Sequence, residues 1–143
     1  MRAQFSKRIN KNEAGVIIAD AVYTTTQVSP VQDNPNGTAL ILSLNIKTAP
    51  ATTETLGLWF QLVDPVTGSG NNGTLVKFTT PAGSGISPNT IYRLAIYPSA
   101  GGTPTGMDAQ ITLVNGIVPK KWLCSVVPSG ASNWEYSLGF QTM

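Results

Sequence analysis

The chain has 143 residues, of which 11% are charged and 41% hydrophobic, and its net charge is +2. That length fits one domain able to bury a core without disulfide or metal staples. With no histidine, one cysteine and seven carboxylates, it lacks the usual ligands of zinc, iron and copper and the usual base for activating a serine or cysteine. The charged fraction is under half the ~25% of an ordinary soluble domain. Polar surface therefore falls to Thr, Ser, Asn and Gln, a surface that costs little to desolvate and repels like copies weakly.

Taken in chain order, residues 1–12 are expected to form a basic arm and 13–143 a single β-sandwich domain. Arg2, Lys7, Arg8 and Lys11 precede any acid, while the residues after them hold five basic and seven acidic groups. All of the chain's excess positive charge thus sits at its start. Phe5 and Ile9, four apart among these charges, are apolar anchors for an arm that orders on an acidic partner. The plain alternative is a solvated tail. Nucleic acid is not an expected partner, because four charges without an aromatic platform are a weak footprint. The start of the chain has no apolar leader core, so synthesis in a cytoplasm without export is expected. Apolar runs far shorter than the ~18–20 residues of a membrane span give no expectation of a membrane.

Residues 14–23 combine β-branched content with a following Thr24-Thr25-Thr26 and are expected to be a strand. A Pro/Asn-Gly loop over 29–37 follows. The clearest strand is 38–48: Leu40, Leu42, Leu44 and Ile46 share one face, while Ile41, Ser43, Asn45 and Lys47 share the other. In 54–63, Leu56, Leu58, Phe60 and Leu62 point inward and Trp59 outward. After a Gly/Asn-rich turn, 74–80 is a shorter strand; then comes 90–97, with Tyr92, Leu94 and Ile96 on one face and Ile91, Arg93, Ala95 and Tyr97 on the other. The stretch 98–106 reads as a loop and 107–114 as a strand, with Asn115-Gly116 a hairpin signal toward the next strand, 120–127. There Trp122, Cys124 and Val126 alternate with Leu123, Ser125 and Val127. The last strand, 133–141, puts Trp134, Tyr136, Leu138 and Phe140 on one face.

About eight strands with turn-rich connections and no helical period predict an all-β, two-sheet sandwich of jelly-roll type with a flexible N-terminal arm. An immunoglobulin-like sandwich is the competing architecture, but its Cys-Trp-Cys spacing is absent. Ile41, Trp59, Ile91 and Leu123 leave apolar groups on the nominal outer faces, which marks them as partner-binding candidates. Trp59, Tyr97, Trp122 and Trp134 could instead supply a sugar-stacking platform. The core parity of Trp134 and the enrichment of aromatics at protein interfaces favour packing over stacking.

Chemistry has few footholds. Asp64 in a Gly/Asn loop offers too little charge for calcium. Glu54, Asp64, Asp108 and Glu135 all sit beside turns or on polar strand positions, where a solvated carboxylate is the ordinary outcome. Cys124, within an apolar strand, is expected to be a buried inert thiol. No catalytic residue, metal or cofactor is expected.

The arm Met1-Arg-Ala-Gln-Phe-Ser-Lys-Arg8, the Thr/Gly/Pro-rich strand ladder and the ending Asn133-Trp-Glu-Tyr-Ser-Leu-Gly-Phe140 resemble a small virion protein of a tailed bacteriophage. The pattern, over residues 14–140, is most similar to jelly-roll capsid cement or decoration proteins. The resemblance implies a non-enzymatic structural protein on the outer capsid surface that bridges neighbouring copies of the major capsid protein. It also implies a homo-oligomer, dimer or trimer, with terminal-arm contacts that map by position onto residues 1–12. The alternatives are a carbohydrate- or receptor-binding module of a phage fibre or tail, and a tail-tube or connector subunit.

Overall fold

The computed structural model describes residues 14–33, 39–63, 74–97, 111–115 and 121–142. The described residues form ten strands: β1 (Ala14–Tyr23), β2 (Gln27–Val28), β3 (Gln32–Asp33), β4 (Leu40–Thr48), β5 (Leu56–Leu62), β6 (Thr74–Thr79), β7 (Thr90–Tyr97), β8 (Ile111–Asn115), β9 (Lys121–Pro128) and β10 (Trp134–Thr142). A 3-10 turn, Gly83–Gly85, interrupts the β6–β7 connection.

The pairing is nested. β1 pairs with β10, β2 and β3 with β9, β4 with β7, and β5 with β6, all antiparallel. This is one long hairpin of paired strands. It is rolled up so that β10 also meets β4, and β9 also meets β5. Rolling gives two sheets, β1-β10-β4-β7-β8 (sheet 1) and β2-β9-β5-β6 with β3 also on β9 (sheet 2). That is jelly-roll topology, as the strand ladder predicts.

β8 departs from the expectation. It lies parallel to β7 at the margin of sheet 1, with Arg93 opposite Ile111 and Tyr97 opposite Asn115. β9 belongs to the other sheet, so Asn115-Gly116 does not close a hairpin between these strands. A parallel neighbour needs a crossover of about a dozen residues, and the stretch between β7 and β8 has that length. β2 and β3 fall in a region expected to be mostly loop, and two residues are too few for an alternating pattern to register.

The core forms where the alternation places it. Sheet 1 contributes Leu40, Leu42, Leu44, Ile46, Leu94, Ile96, Trp134, Tyr136 and Leu138; sheet 2 contributes Leu56, Leu58, Phe60, Trp122, Cys124 and Val126; all are buried. Aromatic pairs fasten the layers: Trp122 of sheet 2 meets Phe140 of sheet 1 edge to face at 5.6 Å, and Phe78 meets Tyr92 at 5.6 Å. Such pairs add ~0.5–1.5 kcal/mol each beyond their buried area.

Three connections are knitted together at one end. Leu56 N donates to Thr80 Oγ1 and Thr80 N to Leu56 O, Gly83 N donates to Glu54 O at 2.8 Å, Ser84 N to Thr52 O, and Ser129 N to Thr55 O. Two glycines permit this closeness. A side chain at Gly83 would strike the Pro50 carbonyl, and one at Gly130 would occupy the place of the Glu54 carboxylate.

Candidate interaction surface

The arm candidates Arg2, Phe5, Lys7, Arg8, Ile9 and Lys11 lie outside the described residues. The four apolar candidates fall on two opposite surfaces. Ile41 and Ile91 stand on the outer face of sheet 1, Trp59 and Leu123 on the outer face of sheet 2. No single patch brings the four together.

On sheet 1 the hydrogen-bonded rows set out the surface. Ile41 lies between Ala95 of β7 and Gln141 of β10; Ser43 between Arg93 and Gly139; Asn45 between Ile91 and Ser137. Ile41, Asn45, Ile91 and Arg93 are each half-buried. Lys47 reaches over β10 to the Asp20 carboxylate on β1 at 2.5 Å. That hydrogen bond, followed by the Asp20 charge, holds the Lys47 ammonium above its ordinary pKa, with Glu135 adding a smaller pull. Thr48 Oγ1 donates to Glu135 Oε1 at 3.4 Å. The Asn45 Oδ1 acceptor is buried and has no donor among the described residues, a state that costs ~1–3 kcal/mol when nothing relieves it.

The outer face of sheet 2 is more self-contained. Trp59 is half-buried, with Lys77 Nζ 4.3 Å from its ring centroid. A Cβ at Gly57 would come within 3.0 Å of Trp59 Nε1, so glycine lets the indole lean along its own strand. Beside it runs a polar ladder: Ser125 Oγ donates to Gln61 Oε1 at 2.6 Å, and Gln61 Nε2 donates to Thr74 Oγ1 at 3.3 Å. Leu123 stands opposite Gln61 and is only 4% exposed. Its parity is as expected, yet it offers almost no open surface. Asp33 and Lys121 form an exposed ion pair at the margin.

Several features of these surfaces are not singled out by the sequence. Asn45, Gln61 and Ser125 are the polar members of outward-facing positions, and that interleaving is the signal that marks them. The exposed large apolar side chains among the described residues are Val16, Val22, Val28 and Val31, all on or beside the marginal strands β1, β2 and β3. Two register shifts interrupt the pairing of β1 with β10, an irregularity that blunts an edge against ladder extension.

The chemical candidates are dispersed. Glu54 is held by the Thr52 and Ser132 hydroxyls and the Ala131 and Ser132 amides, which keep its carboxyl below the ordinary range against a smaller effect of burial, the Ser132 hydroxyl counting most. Glu135 sits apart on β10 by Thr48, and Asp64 and Asp108 lie outside the described residues. Among the described residues no three His, Cys, Asp or Glu side chains gather to hold a metal. Cys124 is fully buried, and burial pushes its thiol far above the ordinary pKa, so it is a poor nucleophile. Among the described residues no helix is long and apolar enough to cross a membrane.

No family model and no curated protein matches the sequence. Solved structures do match the fold. A chain of the infectious bursal disease virus VP2 subviral particle is similar over 92% of this chain and 31% of its own length, with a TM-score of 0.50 and 13% identity. Chains from the Gx and Gt strains of that virus give TM-scores of 0.49 and 0.44 at 12% and 15% identity, with 92% and 93% of this chain and 31% and 32% of theirs covered. The chain thus spans about a third of the length of these structures, and at such identity the likeness to the VP2 chain is one of fold: a jelly-roll β-sandwich.

Proposed function

We propose that this chain is a structural virion protein that binds the outside of a phage capsid and bridges neighbouring copies of the major capsid protein. The observation that carries the reading is the combination of a jelly roll with an outer sheet face that bears the half-buried Ile41 and Ile91. Jelly rolls serve in capsids and in lectins, so the fold alone does not choose between them. The Trp59 surface favours the first, since Lys77 already occupies a face of the indole on which a sugar would stack. The fold likeness to a viral subviral-particle chain supports the same reading.

In this role many weak contacts act together, so a layer of copies holds through avidity rather than one strong site. The basic arm, residues 1–12, adds a second attachment through Arg2, Lys7, Arg8 and Lys11, with Phe5 and Ile9 as apolar anchors. The test is co-sedimentation of the purified protein with assembled shells lacking it. The full chain is expected to pellet with shells, and deletion of residues 1–11 to weaken binding while leaving the circular dichroism spectrum unchanged. Full-strength binding by the truncated chain would remove the arm from the proposal. No binding by the intact chain would remove the capsid role.

A further inference from the structure

We propose that the outer face of sheet 1 is a self-complementary contact on which a second copy of this chain packs, about a two-fold axis passing over Asn45. The inference deepens the assembly role proposed above and rests on it for its setting, but its test does not involve shells.

The placement of charge argues for a second copy rather than an unrelated partner. Asn45 lies on β4, with Ile91 of β7 on one side and Ser137 of β10 on the other. Arg93 is one strand to the β7 side, opposite Ser43. Glu135 is one strand to the β10 side, opposite Thr48 and so toward the other end of β4. The two opposite charges thus stand on either side of Asn45, displaced in opposite directions along the strands. A face-to-face two-fold over Asn45 sets Arg93 of each copy against Glu135 of the other, the isologous pattern in which one contact is made twice.

The rest of the face is compatible with that contact. Arg93 has no carboxylate partner among the described residues, whereas Lys47 is paired with Asp20 and interacts with Glu135 only more weakly. Ile91 and Ser137 lie in the row between the charges, Ser43 and Gly139 share the row of Arg93, and Ile41 stands one row beyond it; these groups cost little to desolvate. The buried Asn45 Oδ1 without a donor supplies an independent observation. Rotation of the amide about χ2 lets the two Asn45 side chains pair across the axis, each giving the other the donor it lacks. The outer face of sheet 2 has no such deficit, because Gln61, Ser125 and Thr74 satisfy one another.

The experiment is sedimentation equilibrium of the full-length protein and of two charge reversals, Arg93→Glu and Glu135→Arg. The unmodified chain is expected to associate. Each reversal alone places like charges opposite each other twice, so its self-association should weaken about tenfold or more. An equimolar mixture of the two variants should associate again, since both cross-pairs are then attractive. Asn45→Lys places a charge on the axis without altering either pair, and gives an independent reading should Glu135→Arg not fold. A chain that stays monomeric at all concentrations overturns the proposal. So does a mixture that associates no better than its components, or an Asn45→Lys variant that associates like the unmodified chain. Shell co-sedimentation, measured separately, shows whether the capsid role survives such a failure.

Discussion

The two sheets present outer faces built from the same alternating pattern, yet they resolve it differently. On sheet 2 the polar positions Gln61, Ser125 and Thr74 are hydrogen-bonded to one another, Trp59 is covered by Lys77, and Leu123 is buried. On sheet 1 an Asn45 acceptor has no donor and Arg93 has no carboxylate partner among the described residues, while Ile41 and Ile91 remain half-buried. An apolar residue at an outward position is therefore not by itself a binding signal. What separates a finished surface from an unfinished one is whether the polar groups around it are satisfied.

The largest expected effects lie between the sheets and set the scale for their outer faces. Trp122 is fully buried and contacts Phe60 and Phe140. Trp122→Ala should cost ~3–5 kcal/mol in urea denaturation, the usual range for removing a core aromatic. Ile91→Ala, on the outer face of sheet 1, should cost much less in the dilute chain. Equal losses would mean that Ile91 is core and that the face is not open to a partner.

Next in size is the polar ladder of sheet 2. Gln61→Ala strands the buried Ser125 hydroxyl and should destabilise by ~1–3 kcal/mol. Asn45→Leu removes an acceptor that nothing among the described residues satisfies, and should leave the stability of the dilute chain unchanged or improved. The pair, measured side by side by chemical denaturation, tests the contrast directly. If Asn45→Leu cost as much as Gln61→Ala, the two faces would be equally complete.

The strand faces are legible in the sequence because a period of two is local. Leu40, Leu42, Leu44 and Ile46 announce their side of β4 within nine residues, and the same holds for Trp122, Cys124 and Val126 on β9. Pairing partners are not local, which is why the sequence does not disclose β8 beside β7 and why Asn115-Gly116 suggests the wrong neighbour. Leu123 shows a related limit. Parity gives the face a side chain points to, but not how much of it the fold covers: Leu123 and Ile41 both point outward from strands flanked on both sides, yet only Leu123 is buried. The orphaned Asn45 acceptor is further still from the sequence, since it depends on what two neighbouring strands place beside it.

A smaller effect probes the covered tryptophan. Lys77→Ala removes the cation over the Trp59 ring, a contact of ~0.5–1 kcal/mol at an exposed site. The readout is tryptophan fluorescence with a neutral quencher. Trp122 and Trp134 are fully buried, so a rise in the quenchable fraction reports on Trp59. Unchanged quenching would mean that Lys77 does not shield the indole, and would reopen that face to a stacking ligand.

The smallest effect belongs to the knitted end, where connections from both sheets meet around Glu54. Its carboxyl lies below its ordinary value of 4.5, chiefly through the Ser132 hydroxyl, with burial opposing. A carboxylate whose pKa is depressed in the folded chain stabilises it fully above the ordinary value. That contribution is lost as the pH falls through the folded value. The melting temperature of the unmodified chain should therefore fall more steeply than that of Glu54→Gln as the pH drops from about 5 to about 3. Gly130→Ala should act like Glu54→Gln, because its methyl group takes the place the carboxylate fills. Parallel pH profiles for all three chains would mean that Glu54 does not fasten this end, and that backbone bonds such as Gly83 N to Glu54 O hold the connections together without it.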